Sequence, residues 1–238
     1  MAISLHGHDA VVDLTNRIAT EIQLRVIDAT IVAQVPRLVP SCFRVGTRIP
    51  RIRSFPNIIS KVETEDYIIQ KSRGALTFTG IQTGGFLELA LGVGWLINTK
   101  DEKTNPLFDG GNRLISLTAV DSIGKAVAAA LKKPEESKNR FLQVHNVVVT
   151  QNRMLGFARE LRPQKKWEVV HKNTAEMERA SWEPFNAGDR SPMTMKRFFV
   201  SCSFGDDPTG HFETVDNDLP GVDKLSDGEL KDFLARSI

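Results

Sequence analysis

The chain has 238 residues, 41% hydrophobic and 25% charged, the ordinary balance of a folded globular protein; a disordered chain, a coiled coil and a collagen-like fibre are excluded. Lysines and arginines number 31 against 29 aspartates and glutamates, a formal net charge of +2, too weak a field to hold nucleic acid or an anionic membrane. At roughly 150 residues per domain, the length suits one α/β domain with a small appendage.

The first residues, Met1 to Asp9, carry neither a basic stretch nor a long apolar run, so they do not read as a signal peptide. No apolar run approaches the ~20 residues of a membrane span; the longest, Gly84 to Asn98, is interrupted by Glu88. Cys42 and Cys202, with no C-x-x-C, read as reduced core thiols of a cytoplasmic protein rather than a zinc site or a disulfide framework.

In chain order, Ala10 to Leu14 is a short β-branched run that reads as a buried strand. Helical spacing follows over 20–34, with Ile22, Val26, Ala29 and Ala33 on one face, and Pro36 closes it. Arg37 to Ser41 is a second strand, and strand–helix–strand is the signature of a parallel βαβ unit. Residues 44–57 form an arginine-rich loop. A helix is expected over 59–71, a strand over 76–81 and a helix over 86–98. Asp109 to Asn112 reads as a turn. Strand 113–117 and helix 118–132 follow, with Asp121 placed to accept its first N–H groups. Strand 141–149, helix 151–161 with Thr150 as N-cap, an irregular stretch over 163–210 and a short helix over 226–237 complete the reading.

In an open α/β sheet, ligands sit beyond the carboxyl ends of the strands. That points to Asp13–Asn16, Ser41–Phe43 and Gln82–Phe86. Tyr67 and Lys71 form a Y-x-x-x-K on one helix face, where the ammonium could lower the phenol pKa. Arg48, Arg51 and Arg53 are either a solvated loop or an anion clamp, and Cys42 has only Arg44 nearby in sequence to activate it. The five histidines have no metal-ligand spacing, so no metal is expected.

Several motifs together carry a family likeness. Gly7-His8-Asp9-Ala10-Val11-Val12, then Gln23, Ile27-Asp28-Ala29 and Val35-Pro36-Arg37-Leu38-Val39-Pro40-Ser41-Cys42-Phe43 resemble the middle of the NmrA-like and isoflavone reductase-like proteins, which are atypical short-chain dehydrogenases. Lys61 ahead of Asp66-Tyr67-Ile68, Leu76-Thr77-Phe78-Thr79 leading to Thr83-Gly84-Gly85-Phe86, Asp121 to Val127, His211-Phe212 and Asp216 to Gly221 follow in the same order. The likeness runs from residue 5 to the end of the chain. It implies an α/β fold: an incomplete Rossmann-type parallel sheet with a small C-terminal substrate-side subdomain. Residues 1–160 would form the truncated NAD(P)-binding part and 161–238 the substrate-side region, interleaved with 82–112.

The resemblance implies NADPH-dependent reduction of a small aromatic or heterocyclic specialised metabolite. Lys61 matches the family's active-site lysine, and Tyr67 then reads as a packing residue. Thr15, Asn16, Ser41, Phe43, Lys61, Thr83 and Gly84 would face the cofactor, and Phe86 the substrate. Two departures stand out. No G-x-G-x-x-G occurs, and the likeness starts at what would be the fourth strand, so on the order of 60 residues of the usual fold have no counterpart. Without that loop the pyrophosphate has no cradle, and NADPH binding is expected to be weak or absent. Cys42 stands where the family usually carries a glutamate. A cofactor-sensing binding module that docks on a protein partner, and a gene start lying further upstream, therefore remain beside the reductase reading.

Overall fold

The computed structural model describes residues 1–15, 20–47, 49–100, 104–205 and 210–238. Its strands are β1 (Val11–Val12), β2 (Arg37–Val39), β3 (Thr77–Gln82), β4 (Gly85–Phe86), β5 (Asn105–Phe108), β6 (Ile115–Thr118), β7 (Arg140–Gln143), β8 (Val147–Val149) and β9 (Val169–Lys172). The main sheet has the order β1-β2-β3-β7 and is parallel throughout, with Val11 opposite Leu38, Leu38 opposite Phe78 and Ile81 opposite Leu142. This is the parallel βαβ arrangement that the spacing of the first two strands predicts.

Side-chain alternation along the strands sorts the core onto two faces. Leu38 and Phe78 point to one face, where Ile27 of helix Thr20–Val32 and Ile68 of helix Ile59–Lys71 cover them. Val39 and Ile81 point to the other, against Ala126 and Ala130 of helix Val120–Lys132. Arg37 shares that second face, almost fully buried. Its guanidinium donates to Ser137 Oγ at 2.6 Å, to the Ala130 carbonyl at 3.2 Å and to the Thr79 hydroxyl, fastening the start of β2 to the end of that helix.

A second sheet, β4-β6-β8, carries a parallel β4/β6 pair and an antiparallel β6/β8 pair. A third pairs β5 with β9 in parallel. The largest apolar cluster lies here, where Leu117, Val149, Leu155, Phe108 and Phe204 meet Leu230 and Leu234 of the last helix.

Several elements depart from the sequence reading. The run 141–149 is two strands in two sheets, broken at Val144–Asn146. That corner is held by distant side chains. Asn217 accepts from His145 N and donates to its carbonyl, at 3.2 and 2.8 Å. Asp216 Oδ2 accepts from Gln143 N at 2.9 Å, and Asn146 Nδ2 donates to the Asp223 carbonyl at 2.6 Å. Apolar periodicity cannot register such a break, because both halves are equally apolar. The expected helix over 86–98 is only Leu87–Gly92 and ends where Gly94 takes φ +67°. The stretch 163–210 holds β9 and helices Thr174–Asn186 and Pro192–Phe204. Helix Val120–Lys132 is capped not by Asp121 but by Glu88, whose two carboxylate oxygens both accept from Val120 N at 3.1 Å. Thr150 does cap its helix, accepting from Arg153 N at 3.1 Å. Among the described residues no helix is long and apolar enough to cross a membrane.

Candidate active site at the carboxyl end of the sheet

Lys61 lies in the first turn of helix Ile59–Lys71, whose buried face reads Lys61, Thr64, Glu65 and Ile68. Only 4% of Lys61 is exposed. Its ammonium donates to the Ser41 carbonyl and, at 3.2 Å, to Ser41 Oγ. Ser41 Oγ in turn donates to the Thr15 carbonyl at 2.9 Å, which also accepts from Gln23 Nε2 at 3.3 Å. Lys61, Ser41 and Thr15 are thus one hydrogen-bonded unit across the carboxyl ends of β1 and β2. An ammonium has three N–H donors; Ser41 takes two, and Lys61 forms no ion pair among the described residues. Burial pulls the Lys61 pKa below its ordinary value; Cys42, Asp13 and Glu65 oppose this and Arg44 reinforces it.

Beside it is a carboxylate that sequence reasoning missed. Glu65 lies one turn beyond Lys61 on the same face and is 3% exposed. It accepts from the Thr47 hydroxyl and, at 3.5 Å, from Gln82 Nε2. Gln82 Oε1 accepts from Gln143 Nε2 at 3.2 Å, linking the ends of β3 and β7. Burial raises the Glu65 pKa against the hydrogen bonds from Thr47 and Gln82. The signal was present in sequence as an i, i+4 lysine–glutamate pair, which reads as surface chemistry unless that face is known to be buried. Cys42 is buried between these groups, and desolvation followed by the Glu65 charge holds its thiol well above the ordinary range. It is an unreactive thiol.

The other expected positions separate. Thr83 is fully buried, its hydroxyl turned onto the Gly84 carbonyl at 3.2 Å. Gly84 has φ +62°, and a Cβ there would stand 2.2 Å from the Ser116 carbonyl oxygen, so the missing side chain admits β6. Phe43 packs on the Val39–Ala126 cluster. Phe86 is half-buried in β4. Asn16 and Arg48 lie outside the described residues. Arg51 and Arg53 pair with Glu178 at 2.7 Å and Asp66 at 2.6 Å. The Y-x-x-x-K pair is set apart from Lys61: the Tyr67 phenol donates to Asp28 at 2.7 Å, which raises its pKa, and Lys71 Nζ sits 5.3 Å from the ring centroid.

No family model matches the chain. Among solved structures, the AtPrR2 complex with NADP+ and (+)-pinoresinol superposes with a TM-score of 0.77 at 16% identity, covering 100% of this chain and 78% of that one. The pinoresinol-lariciresinol and phenylcoumaran benzylic ether reductases, described with their relationship to isoflavone reductases, give 0.76 at 15% identity, covering 100% and 78%. The chain shares the fold of these reductases. The ternary complex of leucoanthocyanidin reductase from Vitis vinifera gives 0.71 at 13%, covering 99% and 80%. Among curated proteins, the chain is 29% identical over 201 residues to oxidoreductase aprR of Aspergillus flavus, covering 84% of this chain and 67% of that protein. It is 24% identical over 195 residues to oxidoreductase poxI of Penicillium oxalicum, covering 79% and 61%. The chain thus spans about two thirds of the length of these relatives.

Proposed function

We propose that this protein is an NADPH-dependent reductase of a small aromatic or heterocyclic specialised metabolite, working in the cytoplasm, with Lys61 as its active-site cation. The observation that carries the reading is the Lys61 ammonium: buried at the carboxyl end of a parallel sheet, fixed by Ser41, without a carboxylate partner among the described residues and with one N–H left to donate. The curated relatives are oxidoreductases and the solved neighbours include NADP complexes, which supports it.

The residues present fit the nicotinamide-ribose half of the cofactor. Thr15 Oγ1 is buried and has no hydrogen-bond partner, next to the Ser41–Lys61 pair, so a polar sugar edge would satisfy it. These 238 residues hold no glycine-rich phosphate loop, so taken alone they are expected to bind the dinucleotide weakly. When bound, the dinucleotide supplies the hydride. Lys61 does the rest of the acid–base work. Its remaining N–H would donate either to a ribose hydroxyl or to an oxygen that gains charge on the substrate, and a burial-lowered pKa makes it a better proton donor in the second role. A second reading is a sensor that docks on a protein partner without turnover.

Loss of NADPH absorbance with a panel of conjugated aromatic carbonyl compounds separates the two. The reductase reading expects turnover that falls at least a hundredfold in Lys61→Ala, within the ~10²–10⁴ range of a positioned acid–base group. Equal rates in both proteins, or none with any compound, would sink it.

A further inference from the structure

Helix Ile59–Lys71 ends at the amino end of the main sheet, and the chain turns back through Ser72 to Ala75 to begin β3 at Thr77. This turn and the start of the edge strand β7 surround a cavity of about 590 Å³, within the size range of pockets that take small organic molecules. It lies at the opposite end of the sheet, and of that helix, from Lys61.

The floor is apolar and open to solvent in part. Leu76 and Phe78 are buried, Phe141 is half-buried, and Ile69 is 42% exposed. The Phe78 and Phe141 rings lie 5.3 Å apart at 59°. Gly80 admits the Phe141 ring over β3, since a Cβ there would collide with it. Covering such a surface is favourable by about 25 cal/mol per Å² of apolar area.

The rim gives this floor a charge of one sign. Arg73 is the charged residue that lines the cavity; it is exposed, and its guanidinium has no ion pair or hydrogen bond among the described residues. Asn139, at φ +53°, exchanges bonds with Phe78: its Oδ1 accepts from Phe78 N at 3.2 Å, and its own backbone N–H donates to the Phe78 carbonyl at 2.6 Å. That anchors the carboxamide by its oxygen and leaves its NH2 as a donor at the rim. A guanidinium presents a planar fork that a carboxylate can accept from bidentately. Among the described residues no acidic side chain lines the cavity to repel an anion. We propose that this cavity binds a small aromatic monocarboxylate, with its rings on Ile69 and Phe141 and its carboxylate on Arg73. The inference does not rest on the reductase reading.

Calorimetric titration of the full chain at pH 7 tests it, with 2-naphthoate and 2-naphthalenemethanol as probes and no turnover needed. One-to-one binding of 2-naphthoate is expected, with a dissociation constant below about a millimolar. The alcohol, which keeps the rings and lacks the charge, should bind at least about tenfold more weakly. Arg73→Gln should weaken 2-naphthoate binding by about tenfold, and Ile69→Glu, which sets a carboxylate on the floor, should abolish it. Both positions are exposed, so both variants should melt close to the wild-type temperature. Lys61→Ala should bind 2-naphthoate as the wild type does, which separates this cavity from the site at the other end of the helix. The proposal is overturned by no saturable binding of 2-naphthoate, by equal binding of the alcohol, by unchanged affinity in Arg73→Gln or Ile69→Glu, or by loss of binding in Lys61→Ala. Binding with the expected dependence, in a protein that never oxidises NADPH, would leave this site standing and remove the reductase reading alone.

Discussion

The imidazoles of His145 and His211 stack with centroids 6.3 Å apart and planes 16° from parallel, and both Nδ1 atoms converge on one hydroxyl, Ser116 Oγ, at 3.0 and 3.3 Å. Phe212 N donates to the same oxygen at 3.0 Å. A hydroxyl has one proton to give, so one imidazole accepts it and the other donates. The ring that accepts at Nδ1 cannot gain a proton there without breaking the arrangement. Burial, then the neighbouring His211 and Lys224, pushes His145 down to about 4, and burial lowers His211 against the opposing charge of Glu213.

This sets a pH dependence of stability. The folded-state pKa of His145 lies below its unfolded value near 6.5, so between the two the unfolded chain binds a proton that the folded chain does not. Stability falls as pH drops from about 6.5 toward 4, by about 3 kcal/mol from this group. Urea unfolding at pH 7 and pH 4.5 measures it. His145→Gln, which keeps an acceptor for Ser116, should flatten the slope; an unchanged slope would show that other groups cause it.

Lys61 and Tyr67 make opposite predictions. Lys61→Ala should lose at least about a hundredfold in turnover, whereas Tyr67→Phe should stay within a few-fold, since the phenol is spent on Asp28 and its pKa is raised, the wrong direction for an acid–base tyrosine. Steady-state rates of the three proteins side by side decide it. A dead Tyr67→Phe would place the chemistry on the Y-x-x-x-K pair.

These 238 residues taken alone hold no glycine-rich loop for the pyrophosphate, which sets the affinity for NADPH that is expected of them. Calorimetric titration should give a dissociation constant well above a micromolar, that is, weaker than about −8 kcal/mol. Micromolar or tighter binding would mean that some other part of the chain cradles the pyrophosphate.

Two glycines differ in sign. Gly84→Ala forces a Cβ to 2.2 Å from a backbone oxygen at φ +62° and should destabilise by about 3 kcal/mol. Gly124, exposed in helix Val120–Lys132 with open space around its Cβ position, should gain about 0.5–1 kcal/mol as alanine. Chemical denaturation of both variants checks the pair, and a Gly84→Ala protein of wild-type stability would refute the close packing of Gly84 on β6.

How much was legible in the sequence follows the range of the interactions. The parallel sheet could be read from Val11–Val12, Leu38–Val39 and Phe78 to Ile81, because period and breakers are local signals. Lys61 was found through family likeness and not through spacing, since a lysine in a polar helix looks solvated. Glu65 is missed for the same reason: its burial depends on Thr47 and Gln82, 18 and 17 residues away in sequence. That position 84 needs a glycine for packing is not legible, because the Ser116 carbonyl that fills its space lies on a strand 32 residues later.

The staple at the Val144–Asn146 corner has a consequence for synthesis. Gln143, His145 and Asn146 wait for Asp216, Asn217 and Asp223, more than 70 positions downstream. A ribosome-bound chain can pair β1, β2 and β3 long before those residues emerge, yet the corner that turns β7 into β8 cannot close. Gln143, the neighbour of Gln82, therefore has its corner fixed only after residue 223 has left the tunnel. The nascent protein spends that interval with a docked sheet and an open carboxyl end, the stage at which chaperone capture and aggregation compete with completion.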